Sequence, residues 1–505
     1  MISHYRYLVI TIGAFLLLQN PSSAKQGKML DSTLRALSAR SSDAGFSICV
    51  IKKDSIIYSG AFGYRNLEKR LPVTENTVFP IGSCTKAFTA ALTGCLQPQV
   101  LPDKAAHYYL PQLQFYNAQM TEQVTVRDLL CHRSGLPRHE FSWFLMASPG
   151  RDSMLQRIAF LEPNYRVAEK WQYNNFGYFI LGMIAEKVTG ASYEKAIEQY
   201  LLAPLQMKHS YFSYDLLLAD SNAAHGYKKI NNLFKPVPYH PLLAMAPAGG
   251  LNSTAPDMAR WLSTWVMNNG NIIPKGFVTQ SITSQVVTKP ALPNNDQPGS
   301  YFSNYGFGWF LTSYRGHYRV EHGGNIDGFT TTACFFPSDS IGIVVLCNRE
   351  NSLLPAMVRN LLSDHFLNIH DNQPEPPKPA APPTNETPKD KLPRNNSEAL
   401  PVIPPTHPLL AYTGRYENPG YGVITVFLRN DSLMAALGNY EWWLRPEQYD
   451  AFMGIDPGGD IKLSVLFKTH AAGYIESMVI PFEPTVAPIR FIKQQDKLPL
   501  SGSIN

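Results

Sequence analysis

A proline-rich segment divides this chain of 505 residues and limits how it can fold. From Gln373 to Pro405 the sequence is dominated by Pro, Lys, Asn and Glu. Such a composition cannot build an apolar core, and clustered prolines favour an extended conformation. We therefore predict a semi-rigid linker with a folded domain on each side. The predicted units are a large domain (25–370), the linker (371–405), a small domain (406–495) and a tail (496–505).

The first 24 residues have the pattern of a secretory signal peptide. A short basic region containing Arg6 precedes an apolar run from Leu8 to Leu18, and a polar stretch then ends at Ala24. The apolar run of about 11 residues is shorter than the roughly 20 needed to cross a bilayer, and no later segment is long and apolar enough to span one. We predict a signal peptide over 1–24, no stable membrane span, and an exported protein that is periplasmic or secreted.

The composition also limits the partners. The formal net charge of +5 is mild and its basic residues are scattered, which argues against nucleic acid. No cluster of metal ligands is visible in the sequence, so we predict no metal and no other cofactor. The six cysteines are predicted to be free thiols, because two predicted strands, 330–336 and 341–347, set Cys334 opposite Ile343 and not opposite Cys347.

The first candidate for chemistry is the Ser-x-x-Lys pattern at Ser83 and Lys86. The same spacing occurs at Ser22–Lys25 and Ser192–Lys195, so spacing alone decides nothing. At Ser83, however, Gly82 allows a turn and an apolar helix follows. Side chains three residues apart share a helix face, and a serine hydroxyl needs such a neighbouring base to become a nucleophile. Unpaired N–H groups in the first turn would favour a developing oxyanion.

Two further stretches carry polar groups at the ends of regular elements. Tyr173-Asn174-Asn175 lies in a loop before an apolar helix that ends at Gly190. A nearby Lys lowers the pKa of a tyrosine, because its positive charge favours the phenolate. His322-Gly323-Gly324 follows an aromatic strand, and its glycines allow a substrate to approach the strand edge.

His132 is a tempting base but is predicted to be structural. It follows a short helix whose start has the capping box Thr125 and Asp128, and such short capped helices are usually scaffold.

After the linker, the segments 412–416, 423–428 and 463–467 have the pattern of strands, with a hairpin turn at 429–432. These segments predict a small all-β domain.

The order Ser83-Cys84-Thr85-Lys86, Tyr173-Asn174-Asn175, His322-Gly323-Gly324 resembles the three signature motifs of the serine β-lactamase and penicillin-binding-protein-like superfamily. The surrounding sequence is similar to the branch of class C β-lactamases, D-aminopeptidases and esterases, over residues 30–368. The resemblance implies an α+β fold, with an antiparallel sheet flanked by helices and an all-helical lobe. The small domain resembles the lipocalin-like β-barrel of some members.

The resemblance also implies roles. Ser83 would attack a carbonyl to form an acyl-enzyme, and Tyr173, with its pKa lowered by Lys86, would be the base. Asn175 would hold the substrate and the Lys86 network, and His322, Gly323, Gly324 and Asn325 would line the substrate site. The backbone N–H groups of Ser83 and Asn325 would bind the oxyanion.

The chain departs from the family pattern in two places. Class C β-lactamases carry Lys-Thr-Gly where this chain has His322-Gly323-Gly324, and the segment 97–103 is shorter than the usual loop. An unperturbed His has a pKa near 6.5 and attracts an anion weakly at neutral pH, so substrates without an obligatory carboxylate are expected there. Esters, D-amino-acid amides or peptides, and β-lactams stay open as substrates, as does a homo-oligomer. The alternative function is a catalytically idle protein that binds peptidoglycan fragments or β-lactams.

Overall fold

The computed structural model describes residues 21–41, 44–145, 150–230, 233–268, 270–288, 301–369, 403–438, 440–459 and 461–494. Residues 1–20 of the predicted signal peptide, residues 371–402 of the predicted linker and the predicted tail 496–505 lie outside these ranges. The signal peptide and the domain boundaries therefore stay predictions.

A nine-stranded antiparallel sheet is the centre of the large N-terminal region, with the order β3-β2-β1-β13-β12-β11-β10-β9-β8. The strands of this region are β1 (Gly45–Lys52), β2 (Ser55–Asn66), β3 (Leu71–Pro72), β4 (Phe79–Pro80), β5 (Gly226–Ile230), β6 (Leu233–Val237), β7 (Asn252–Ser253), β8 (Val286–Val287), β9 (Ser303–Tyr305), β10 (Phe310–Tyr314), β11 (His317–Ile326), β12 (Phe329–Phe336) and β13 (Ile341–Cys347). Strands β4 and β7 form one separate pair, and β5 and β6 form another.

Helices lie on both faces of the sheet and form a lobe beside it. The helices of this region are α1 (Pro21–Ser41), α2 (Thr85–Cys95), α3 (Ala106–Tyr109), α4 (Ala118–Gln123), α5 (Val126–Leu130), α6 (Arg151–Arg157), α7 (Asn175–Thr189), α8 (Tyr193–Ile197), α9 (Tyr214–Ala219), α10 (Ala246–Gly249), α11 (Ala255–Met267), α12 (Lys275–Ser281) and α13 (Leu354–Phe366). The lobe contains α3 to α9, between the two halves of the sheet in the sequence.

The central strands are apolar at nearly every position because both of their faces are covered. Along β13, Ile343 and Val345 face a core shared with α1 and α13, whereas Val344 and Leu346 face the larger core that includes α2 and α11. Successive strand side chains point to opposite faces, so an unbroken apolar run indicates a strand buried on both sides.

The predicted local structure is confirmed in this region. Cys334 pairs with Ile343, and all six cysteines are free. Thr125 and Asp128 form the predicted capping box at the start of α5. The helix that ends at Gly190 begins at Asn175, so Asn175 is its first residue and does not lie in the preceding loop.

The C-terminal region is a closed eight-stranded barrel. It consists of α14 (Leu409–Tyr412), β14 (Gly414–Asn418), β15 (Gly422–Arg429), β16 (Ser432–Leu437), β17 (Tyr440–Gln448), β18 (Ala451–Ile455), β19 (Lys462–Thr469), β20 (Ile475–Ile480) and β21 (Ile489–Lys493). The hairpin turn is confirmed: Asn430 and Asp431 both have positive φ, as a two-residue turn between twisted strands requires. The strand predicted from Tyr412 is wrong at its start, since Tyr412 ends α14.

The interior of the barrel is filled by its own side chains. The cavity lined by Ile424, Leu437, Trp442 and their neighbours holds about 10 Å³, which is room for about one water molecule. The barrel is therefore a packed structural unit, unlike barrels that enclose a small ligand.

Candidate active site

Ser83 and Lys86 meet at the start of α2. A single 3₁₀ turn, Gly82–Cys84, carries Ser83 and continues into α2 at Thr85. Lys86 Nζ lies 3.0 Å from Ser83 Oγ and donates a hydrogen bond of 2.7 Å to the carbonyl of Ala248. Ser83 is partly exposed whereas Lys86 is fully buried, so the hydroxyl is accessible and its amine neighbour is shielded from water.

Close packing of β11 holds this turn in place. A Cβ on Gly324 would lie 2.0 Å from the carbonyl oxygen of Ile81, so only glycine fits where β11 crosses the turn. Thr331 Oγ1 donates to the same carbonyl at 2.9 Å, and Cys84 Sγ donates to the carbonyl of His322 at 3.2 Å. These contacts bring the first and third sequence motifs together.

The predicted oxyanion site lies at the same junction. A Cβ on Gly82, which has a φ of +52°, would be 3.1 Å from the backbone nitrogen of Asn325. The Asn325 side chain points to a neighbouring loop, where its Nδ2 donates to Asn351 Oδ1 at 2.7 Å and its Oδ1 accepts from Thr330 Oγ1. The backbone nitrogens of Ser83 and Asn325 are thus on adjoining segments, and their role in binding an oxyanion stays a prediction.

Tyr173 lies against both members of the Ser-Lys pair. Lys86 Nζ is 4.8 Å from the centre of the Tyr173 ring, and the phenol hydrogen-bonds to Ser83. Burial raises the pKa of Tyr173 well above its ordinary value, and the Ser83 hydrogen bond and the charge of Arg138 only partly oppose this. The expectation of a lowered pKa is therefore wrong, because burial disfavours the phenolate.

Lys86 shows the opposite effect of the same environment. Burial lowers the pKa of the Lys86 amine well below its ordinary value, the negative charge of Glu140 raises it, and the positive charge of Arg138 lowers it further. Desolvation disfavours the charged form of each group, so a buried lysine tends towards the neutral amine and a buried tyrosine towards the neutral phenol. Burial therefore favours the uncharged, basic form of the Lys86 amine next to Ser83.

Arg138 and Glu140 complete the site and were missed in the sequence. The Asn175 side chain donates to Glu140 Oε1 at 3.2 Å. Among the described residues, this hydrogen bond replaces the expected contact between Asn175 and Lys86. Arg138 Nε donates to Glu140 Oε2 at 2.6 Å, and the guanidinium carbon is 5.3 Å from the centre of the Tyr173 ring. The Arg-x-Glu pair that follows His132 and its capped helix in the sequence was the available signal.

His322 is in the site but is buried and held as a neutral ring. Its Nδ1 lies 2.7 Å from the carbonyl of Gly323 and must donate to it, so Nε2 accepts from the Tyr305 hydroxyl at 3.0 Å. Burial lowers the pKa of His322 to about 3. The expected ordinary titration near 6.5 is therefore wrong, and His322 carries no charge at neutral pH. Gly323 is exposed beside it.

His132 is buried against the Tyr173-Asn174-Asn175 motif and supports it. Its Nδ1 accepts the backbone N–H of Asn174 at 3.1 Å, and its ring centre is 4.4 Å from that of Tyr173. Asn174 Oδ1 in turn accepts from the N–H of Gly177 and caps α7. His132 is fully buried, and burial lowers its pKa well below the ordinary value. These contacts support the predicted structural role.

In the described residues, no group of three or more His, Cys, Asp and Glu side chains is placed to hold a metal ion. Among the same residues, none of the helices combines the length and the apolar character that crossing a membrane requires.

Comparison with known families agrees with this geometry. The beta-lactamase family model matches residues 30–365, which is more than half of the chain. The chain belongs to the beta-lactamase family. Residues 399–493 match a second model, a domain of unknown function (DUF3471).

Two relatives have the same sequence identity to this beta-lactamase family protein. Protein flp of Staphylococcus aureus (strain MW2) is 27% identical over 326 residues, 63% of this chain and 62% of flp. The unguisins hydrolase ungD' of Aspergillus campestris is 27% identical over 382 residues, 70% of this chain and 69% of that protein. The chain thus spans less than two thirds of the length of flp.

Solved structures confirm the predicted fold. The octameric penicillin-binding protein homologue from Pyrococcus abyssi has a TM-score of 0.59 and 25% identity, and the match covers 92% of this chain and 99% of the homologue. A class C beta lactamase has a TM-score of 0.56 and 23% identity over 68% of this chain and 98% of its own, which shows the shared fold.

Proposed function

We propose that this beta-lactamase family protein is a serine hydrolase that works through an acyl-enzyme on Ser83. The observation that carries the proposal is the 3.0 Å distance between the accessible Ser83 Oγ and the buried Lys86 Nζ. A neutral amine at that distance accepts the hydroxyl proton as the oxygen attacks a carbonyl carbon.

The remaining groups complete a balanced cycle. Ser83 Oγ bonds to the carbonyl carbon, its proton moves to Lys86 Nζ, and the oxyanion lies between the backbone N–H groups of Ser83 and Asn325. Tyr173, a neutral phenol, passes a proton to the leaving group as the substrate bond breaks, and the Lys86 ammonium restores it. A water molecule then attacks the acyl carbon and the same amine accepts its proton. That proton passes to Ser83 Oγ as the acyl–oxygen bond breaks, which releases the acid and restores the free serine.

The neutral His322 supports substrates without an obligatory carboxylate at that position. Family members that carry a lysine there present a permanent positive charge, whereas a ring with a pKa of about 3 presents none at neutral pH. Esters and D-amino-acid amides or peptides are therefore the proposed substrates, ahead of β-lactams. The name of the unguisins hydrolase supports hydrolysis as the reaction class.

Export and assembly belong to the proposal as well. The signal-peptide pattern of residues 1–24 supports export to the periplasm or outside the cell. Because the Pyrococcus abyssi homologue is described as octameric, a homo-oligomer is the proposed assembly.

The idle binding protein is the rival function, and covalent labelling separates the two. Intact mass is measured after incubation with a fluorophosphonate and, separately, with a penicillin, on wild type and Ser83→Ala. We expect fluorophosphonate labelling of wild type only, at Ser83. Labelling by neither reagent would contradict the serine hydrolase and favour the binding protein.

A further inference from the structure

The segment 138–142 lies between the candidate active site and the C-terminal barrel. Arg138 and Glu140 face the site, whereas His139, which lies between them, and Ser142 face the barrel. One short piece of chain therefore contacts both the proposed catalytic groups and a domain that follows almost 300 residues later.

His139 makes three hydrogen bonds, two of them to the barrel region. Its backbone N–H donates to Glu483 Oε2 at 3.0 Å. Its Nε2 lies 2.8 Å from the carbonyl of Glu162 and must donate to it, so Nδ1 accepts the hydroxyl of Tyr421 at 2.8 Å. Ser142 Oγ adds a 2.6 Å hydrogen bond to the carbonyl of Gly420.

These barrel contacts are buried and chemically specific. Glu483 is 6% exposed, and its other carboxylate oxygen accepts from Thr485 Oγ1 at 2.7 Å. Phe141 packs on Phe482 with ring centres 5.1 Å apart. Hydrogen bonds to a buried carboxylate are among the stronger ones, so this interface fixes the backbone of His139.

The backbone of His139 needs such support. Its φ of +45° and ψ of +40° are left-handed, a conformation that costs free energy for a residue with a side chain. A relaxed backbone at this position would redirect the side chains of Arg138 and Glu140, because they flank His139 directly in the chain.

We propose that the barrel is a positioning element of the active site. Through Glu483 and Tyr421 it holds His139 so that Arg138 and Glu140 lie against Tyr173 and Asn175. The inference rests on the proposed serine hydrolase function. Because the residues that the structure describes fill the interior of the barrel and leave no ligand-sized cavity there, the barrel's contribution to catalysis would come from this contact with the active site.

Point variants of the full-length chain test the proposal, with kcat/KM for p-nitrophenyl butyrate and thermal unfolding as readouts. Glu483→Ala should lower kcat/KM by about 10- to 100-fold, since small misplacements near reacting groups have effects of this size. Glu483→Gln should restore most of the activity, because its amide oxygen still accepts the His139 N–H. Glu476→Gln, which removes a barrel carboxylate paired with Arg490, is the matched control and should match wild type.

A double-mutant cycle distinguishes positioning from general stability. If Glu483 acts through Glu140, then Glu483→Ala should lower kcat/KM much less in a Glu140→Gln background than in wild type. Losses that simply multiply, or unchanged activity in Glu483→Ala, would overturn the proposal. Should Glu483→Ala not fold, Tyr421→Phe tests the same link, because it removes the proton donor to His139 Nδ1.

The fluorophosphonate labelling experiment distinguishes a failure of the positioning role from a failure of the serine hydrolase function. Wild type labelled at Ser83 together with an unaffected Glu483→Ala would overturn the positioning role alone. Wild type without labelling would overturn the serine hydrolase function and this inference with it.

Discussion

The Ser-x-x-Lys pattern occurs at Ser83–Lys86 and at Ser192–Lys195, and the two copies have very different surroundings in this structure. In the first, the lysine side chain is buried and its Nζ lies 3.0 Å from the serine Oγ. In the second, Ser192 Oγ accepts the backbone N–H of Lys195 at 3.3 Å and caps α8, while the Lys195 side chain is exposed. The third copy, Ser22–Lys25, lies where side chains are not described.

The difference shows that burial of the lysine, rather than the spacing, makes a Ser-x-x-Lys pattern a candidate catalytic pair. At position 86 the surrounding helices α2, α7 and α10 remove water from the amine and lower its pKa. A serine at a helix start satisfies a backbone donor just as well as it can serve as a nucleophile, so the motif alone predicts both outcomes.

Replacing the two serines should give the largest contrast. Ser83→Ala should reduce turnover of an activated ester on the order of 10⁴-fold or more, because loss of one member of a catalytic unit removes nearly all of its effect. Ser192→Ala should keep wild-type turnover but lower the free energy of unfolding by about 1 kcal/mol through the lost helix cap. Steady-state kinetics and urea unfolding of both variants provide the check. Half of the wild-type turnover in Ser83→Ala would show that the nucleophile is misassigned.

The two lysines should differ by a smaller factor. Lys86→Met should lower kcat/KM by about 10³-fold, the typical contribution of a general base, whereas Lys195→Met should have no effect on kcat/KM. Because the active form is the neutral amine, wild-type kcat/KM should rise with pH until Lys86 has lost its proton, and this rise should be absent from the residual activity of Lys86→Met. A pH–rate profile of each variant measures this. Equal losses in both variants would remove the distinction between the two copies.

A tyrosine lies near each copy, which gives a third contrast. Tyr173→Phe should lower kcat/KM by about 10²-fold, since it removes the proton donor to the leaving group. Tyr193 is buried, and its hydroxyl pairs with Thr89 Oγ1 at 2.7 Å. Tyr193→Phe should therefore change unfolding more than kcat/KM. Wild-type kcat/KM in Tyr173→Phe would exclude this phenol from the proton path.

The smallest effect concerns stability and comes from His322. Its pKa is about 3 in the folded chain and about 6.5 when unfolded. Between these values the unfolded chain binds a proton that the folded chain does not, so stability falls as the pH falls below 6.5. This residue contributes about 1.4 kcal/mol per pH unit to that slope. Urea unfolding at pH 7 and pH 5 should show a shallower loss in His322→Gln, and an equal loss in both proteins would contradict the buried, neutral ring.

Local structure could be predicted from the sequence because its causes are local. The register of Cys334 with Ile343 follows from two strands and a short turn, and the capping box of Thr125 and Asp128 follows from residue types at fixed spacing. The order of three motifs was enough to indicate the fold. The positions of Ser83, Lys86 and Tyr173 in one cluster agree with that order.

The electrostatics of the site could not be predicted in the same way. The direction of the Tyr173 pKa depends on burial by distant segments, and the sequence shows only that a lysine is present. Likewise, Glu140 is brought beside Asn175 by a segment that the barrel holds through Glu483. Both features arise from tertiary packing, so no pattern of neighbouring residues encodes them.

The most direct test of the account is the pKa of the Lys86 amine in the folded protein. Protein labelled with [ε-¹³C]lysine can be titrated by NMR, with the Lys86 signal assigned by its loss in Lys86→Met. We predict a Lys86 pKa well below the ordinary lysine value of about 10.4, as expected for an amine that accepts the Ser83 proton. A Lys86 pKa at or above that value would contradict the central claim that burial makes this lysine the base.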